Sequence, residues 1–207
     1  MTFLEIYNLI VAEIWQDSTP PSSASTILKG EFGTINRACK KIQRDYNYWF
    51  MREEEEFSTT SGVNTKDVSD LKKLISLRYA DAEGNYNIDL EYIGGESDFT
   101  SSDEAEYASE YKVEGNQLIF SPTPNAAKDL KLVYFKFFPA LSDDADENDL
   151  TIYAGDAIKD LAISYFMQIK KEFDLSNIYK NNYLEDLESL REEDRDRRQR
   201  YNKEYSY

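Results

Sequence analysis

Apolar residues recur with helical period at both ends of this chain and with period two between them. That change of period limits the fold more than any motif does, because the two periods require different backbones. Phe3, Ile6, Tyr7, Ile10 and Ile14 share one helical face, and Thr2 with Glu5 has the spacing of a capping box. The loop STPPSSAS follows, and a second helical pattern runs through Ile35, Ala38, Cys39, Ile42, Tyr46 and Trp49. Gly30 and Gly33 put its regular start near Thr34. In the middle, Ile75, Leu77 and Tyr79 alternate with polar residues, ADAEGN supplies a turn, and Tyr86, Ile88, Leu90 and Tyr92 alternate again. This predicts a half-buried hairpin. Ser101 and Glu104 repeat the capping spacing and predict a short helix. GNQLIFSPTPNAAKDLKLVYFKFF, residues 115–138, predicts a second hairpin interrupted by Pro122 and Pro124.

Helical period returns after the acidic connector SDDADEND, residues 142–149. Ile158, Leu161, Ala162, Tyr165, Phe166, Ile169 and Phe173 form one stripe. Asp174 and Ser176 mark a break, and Tyr179, Tyr183, Leu187 and Leu190 form the next stripe. From Arg191 onward no aliphatic residue remains, so the segment reads as a solvated helix end or as an arm that orders against a partner. The expected fold is α+β: mainly a helical bundle, built from N-terminal and C-terminal helix pairs, with a β-hairpin-rich insertion. The expected parts are residues 1–52 and 150–190 for the bundle, 53–149 for the β-rich insertion with its acidic connector, and 191–207 for the charged, Tyr-rich tail.

The strand LKLVYFKFF is apolar on both sides. Leu130, Leu132, Tyr134 and Phe138 lie on one, and Val133, Phe135 and Phe137 on the other. Two apolar faces need two covers. The bundle can supply one. The other is a further layer of the same chain or a neighbouring subunit, which makes Val133, Phe135 and Phe137 the candidate subunit interface.

Few side chains suggest catalysis. The 207 residues include no histidine, which removes the usual general base near neutral pH and the commonest metal ligand. One cysteine builds neither a disulfide nor a thiolate zinc site, and Cys39, within a helical pattern, reads as a small core residue rather than a reactive thiol. Asp144, Asp146 and Asn148 match the first ligand positions of a calcium loop. Asp149 then stands where that loop needs Gly, and Gly155 where it needs Glu, so the connector reads as a solvated loop capping the next helix through Asp149 or Thr151. The run Glu53–Glu56 reads as a charged strand start or solvated face rather than an acid–base pair. Arg195, Arg197, Arg198 and Arg200 alternate with acids, which fits internal ion pairs on a helix or an acidic protein partner. No cofactor, metal or membrane contact is expected, and the first residues, lacking a signal peptide's basic start, are expected to belong to the fold.

Asp plus Glu number 40 against 24 Lys plus Arg, a net charge of -16. Such a field disfavours wrapping of DNA but tolerates DNA moving past. It also fits an alternative: an acidic protein that mimics DNA and sequesters a host nucleic-acid-binding protein.

The order of segments resembles the head–tail connector, or adaptor, proteins of tailed bacteriophages. FLEIYNLIVAEI and INRACKKIQRDYNYWFMREEEEF are similar to that family's first two helices, and VSDLKKLISLRY to its next strand. GNQLIFSPTPNAAKDLKLVYFKFFPAL resembles its hairpin. DENDLTIYAGDAIKDLAISYFMQI and YKNNYLEDLESLREEDR resemble its closing helices. The segment 93–111 is longer and more acidic than the family pattern, and the tail after Arg191 is individual. The resemblance implies a non-enzymatic virion protein. A ring of twelve copies would lie under the portal in the head–tail neck, assembled in the host cytoplasm. It would extend the DNA channel without reading sequence and would give the tail proteins a platform. It also makes Arg195, Arg197, Arg198, Arg200, Tyr201, Tyr205 and Tyr207 a candidate portal-contact arm.

Overall fold

A computed structural model describes residues 1–16, 18–94 and 104–204, without the side chains of 201–204. The described chain forms two compact units, one comprising Met1–Met51 and the chain from Phe138 onward, the other Arg52–Phe137.

The first unit is helical. In α1, Phe3–Ile14, the Thr2–Glu5 capping box forms in both directions, at 3.2 Å and 2.8 Å, and Phe3, Ile6 and Ile10 are buried. A short helix, α2, Ala24–Lys29, forms in a stretch that reads as irregular, because Ala24 and Leu28 are buried. Gly33 makes the joint after α2 possible: a Cβ there would stand 2.5 Å from the carbonyl oxygen of Leu28. The next helix, α3, Thr34–Asp45, starts where its glycines place it, but it ends before Tyr46 and Trp49. Tyr46 begins an extended elbow, and Trp49 opens the 3-10 turn, Trp49–Met51, that completes it. Two buried amides join α3 to the returning chain. Asn36 exchanges two bonds of 2.9 Å with the backbone of Leu141, and Gln43 accepts from the Phe138 N–H at 2.6 Å.

Asn148 caps α4, Asp149–Tyr153, with Thr151 as its reciprocal partner; Asp149 lies inside the helix. Then come α5, Gly155–Lys170, and α6, Phe173–Glu204. The turn between them is at Lys171, in the left-handed region at φ 64°, three residues earlier than the predicted break. Phe173, placed by period on the α5 stripe, instead opens α6 and is 62% exposed. Ser176 is buried and meets Ser164 Oγ at 3.0 Å. The charged run beyond Leu190 continues α6 as helix to Glu204.

The second unit contains β1 (Arg52–Ser58), β2 (Thr65–Asp67), β3 (Leu71–Ala80), β4 (Tyr86–Asp89), β5 (Glu91–Tyr92), β6 (Glu104–Ala105), β7 (Glu110–Glu114), β8 (Gln117–Ser121), β9 (Thr123–Pro124) and β10 (Asp129–Lys136). One sheet has the order β1-β10-β3-β4, a second β2-β8-β7-β5, and β6 pairs with β9. Leu77, Tyr79, Leu130, Leu132 and Tyr134 of the first sheet share a core with Tyr111, Leu118 and Phe120 of the second.

Three expectations need correction. The fold is not mainly a helical bundle with a hairpin insertion: the described residues are mixed, 43% helix and 25% strand, with three sheets among them. Residues 115–138 are not a hairpin either. After β8 the prolines withdraw backbone donors from pairing, and the chain moves to the other sheet, where β10 runs between β1 and β3. The cover over the first apolar face of β10 is the second sheet of the same unit. The predicted β3–β4 hairpin does form, with Tyr79 opposite Ile88. The helix predicted from Ser101 begins outside the described residues, and Glu104–Ala105 pair as strand with Thr123–Pro124.

Candidate interaction surfaces

The register of β10 fixes what its second face presents. Lys131 lies between Glu56 and Arg78, Val133 between Glu54 and Ser76, and Phe135 between Arg52 and Lys73. This face is an ion-paired ladder. Lys131 reaches Glu54 at 2.7 Å and Glu56 at 3.8 Å, and Arg78 meets Asp89 at 2.6 Å. The bond from Lys131 holds the Glu54 carboxyl below its ordinary pKa. The remaining glutamates of the run are also matched: Glu53 pairs with Lys136 at 2.5 Å and Glu55 with Lys66 at 2.7 Å. Val133 is 7% exposed, Phe135 is half-buried, and Phe137, beyond the strand, is 38% exposed with Lys72 over its ring. Of the three candidate interface residues, Phe137 offers the most surface.

The distal part of α6 is held to the elbow that follows α3. Asp194, fully buried, accepts from the Trp49 N–H at 2.8 Å and the Tyr46 hydroxyl at 3.0 Å, and pairs with Arg198 at 2.7 Å. Arg198 donates to the carbonyl of Asn47 at 2.5 Å. The Arg197 guanidinium lies over the Trp49 ring at 4.4 Å and pairs with Glu193 at 2.7 Å. Arg195 pairs with Glu188 at 3.1 Å, and Arg200 is exposed. The side chain of Tyr201, and all of Tyr205 and Tyr207, lie outside the described residues. The elbow is an aromatic stack: Tyr48 on Phe50 at 5.2 Å, and Phe50 on Tyr153 at 5.3 Å. A mixed-charge run hides a residue such as Asp194. The one signal is spacing, since residues 187, 190 and 194 continue the buried stripe.

The sequence model of the SU10 adaptor protein family matches residues 1–204. The chain belongs to this family of phage adaptor proteins. No curated protein matches it. As a member of an adaptor family, the protein is a virion component.

The polar residues of this adaptor that could suggest a catalytic or metal centre have structural partners. Asp144 pairs with Lys29. Asp146 accepts from the N–H groups of Ser142 and Asp143 at 2.6 Å and 2.9 Å, bonds that hold its carboxyl below the ordinary range, and Asn148 caps α4. Among the described residues no group of three or more potential ligands converges on a metal position, and no helix is long and apolar enough to cross a membrane. Cys39 is buried, and desolvation pushes its thiol up to about 12.

The helical unit also carries an exposed apolar group around the α5–α6 turn: Ile169, Phe173, Leu175 and Ile178. Helical period places Ile169 and Phe173 on a core face and does not mark Leu175 or Ile178. Ile169 ends on the open side of α5, and Phe173, Leu175 and Ile178 follow the turn at Lys171 onto exposed positions of α6.

Proposed function

We propose that this adaptor assembles into a closed ring, of about twelve copies by the family resemblance, that docks under the portal, extends the DNA channel and gives the tail its platform. The observation that carries this reading is the family match over residues 1–204. A cyclic ring needs heterologous interfaces, in which two different patches of each subunit are complementary to one another. The surface around Phe137 and the apolar group at Ile169, Phe173, Leu175 and Ile178 are our candidates. The exposed Arg195 and Arg200, with Tyr201, Tyr205 and Tyr207, are assigned to the portal, and Arg197 and Arg198 hold the helix that presents them. The net charge of -16 supports a channel wall that repels phosphate and lets DNA pass. The role is structural, with no catalytic residue.

The test is to mix purified adaptor with portal protein and follow sedimentation and electron microscopy. A ring-shaped complex is expected. An adaptor that stays monomeric with portal, and retains host nucleic-acid-binding proteins instead, would overturn this reading in favour of DNA mimicry.

A further inference from the structure

The exposed positions of α3 are Arg37, Lys40, Lys41, Arg44 and Asp45. The four cations recur three and four residues apart, so they share one helix face. Among the described residues only Lys41 of the four has a carboxylate partner, Asp45 at 2.8 Å. On α6, by contrast, Arg195 and Arg197 are matched by Glu188 and Glu193. In a chain of net charge -16 the α3 face therefore opposes the sign of the whole. It lies against α5, where the Arg37 guanidinium stands 4.7 Å from the Tyr165 ring centroid. Ile169 follows Tyr165 by one turn on the same side of α5, which joins the basic face to the exposed apolar group at the α5–α6 turn.

The other side of α5 carries the opposite charge. Asp156 stands nine positions before Tyr165, and at about 100° per residue the two project from opposing sides of the helix. Asp156 is exposed, and Asp160, one turn on, is buried beneath it. Packed on α5, α1 adds Glu13, and α6 adds Glu185 and Asp186. The cation among these acids is Lys159, with Glu13 at 3.4 Å and Asp160 at 3.2 Å. One ammonium does not balance so many carboxylates. Burial, and after it the charges of Asp160 and Asp156, push the Asp186 carboxyl above its ordinary pKa.

A cyclic ring needs two unlike faces that complement each other, and these two faces do so from opposing sides of one helix. We propose that the basic face of α3 in one copy docks on the acidic surface of Glu13, Asp156, Glu185 and Asp186 in the next copy. Charge selects this occupant: a second acidic copy complements the basic face, whereas a DNA backbone would have to approach through the negative field of the whole chain. The pairing decides which faces meet, and the net charge still sets the long-range repulsion between copies. This inference rests on the ring reading.

The experiment uses the full chain with portal protein, followed by sedimentation. It compares wild type, Lys40→Glu with Arg44→Glu, Asp156→Lys with Glu185→Lys, and a chain carrying all four changes. Each reversed pair is expected to weaken assembly about tenfold, and the fourfold variant is expected to recover it, because the reversed faces are again complementary. A one-to-one mixture of the two pair variants is expected to recover assembly as well. Recovery separates charge pairing from misfolding, and melting temperatures check the fold of each variant. If wild type assembles and the reversed pairs assemble equally well, or the fourfold variant and the mixture recover nothing, this inference fails while the ring reading stands. If wild type stays monomeric with portal, both fail. A basic face whose reversal abolishes a gel shift of duplex DNA and leaves assembly intact belongs to phosphate instead, which also overturns the proposal.

Discussion

Asp194 and Asp160 are both buried carboxylates with opposite consequences. Asp194 has three partners, so Asp194→Ala would strand the Trp49 N–H and the Tyr46 hydroxyl and remove the ion pair with Arg198. A loss of about 3 kcal/mol is expected in urea unfolding. Asp160, 6% exposed, has the Lys159 ammonium 3.2 Å from its Oδ1. Burial raises its pKa, and Lys159 offsets that only in part. With the folded-state pKa above the unfolded value, the fold binds the proton more tightly than the unfolded chain does. Stability from this group is therefore full below the unfolded pKa of ~4 and is lost as pH rises through the folded pKa. Asp160→Asn is expected to raise stability at pH 7 by up to about 1 kcal/mol and to flatten the melting temperature against pH above ~4, since Lys159 keeps Glu13 at 3.4 Å. Calorimetry across pH checks both. Thr2–Glu5 and the start of α3 were legible at this scale because both depend on neighbours in the chain. The Asn36–Leu141 bonds and the Asp194 cluster join residues distant in sequence, and no local pattern marks them.

The element scale turns on β10. Its apolar excess has two causes: one side packs against the second sheet, and the other is screened by a charged ladder with Val133 inside it. This separates two kinds of variant. Leu132→Ala, at a fully buried position, is expected to cost about 2–5 kcal/mol and to destabilise the β unit itself. Phe137→Ser, at a position 38% exposed, is expected to leave the melting temperature within a degree or two and to weaken ring formation in sedimentation. A melting temperature that falls with Phe137→Ser would assign the ring to the internal core. That β8 and β10 are strands followed from alternation and apolar content, but their partners did not. In the structure β8 pairs with β2 and β7, and β10 with β1 and β3, partners that alternation along either strand does not specify.

The whole molecule carries -16 charges, and every copy in a ring brings the same field. Self-association is therefore expected to strengthen as salt rises from ~0.01 to ~0.15 M, where the screening length falls from ~30 to ~8 Å. Equilibrium sedimentation across that range checks this, and association that weakens with salt would indicate charge-paired interfaces instead.

The amino-acid sequence by itself determined the succession of helical, strand and helical segments, the helix caps and the character of Cys39, because period, capping and burial of small residues act over a few positions. It also carried the adaptor resemblance, since family likeness resides in the order of such segments. Only the tertiary structure decided that two four-stranded sheets in the middle of the chain share one core, that β8 and β10 separate, and that Asp194 fastens the distal helix to the elbow. Each of these depends on contacts between distant residues, and local pattern carries no information about which of several compatible partners packing will select.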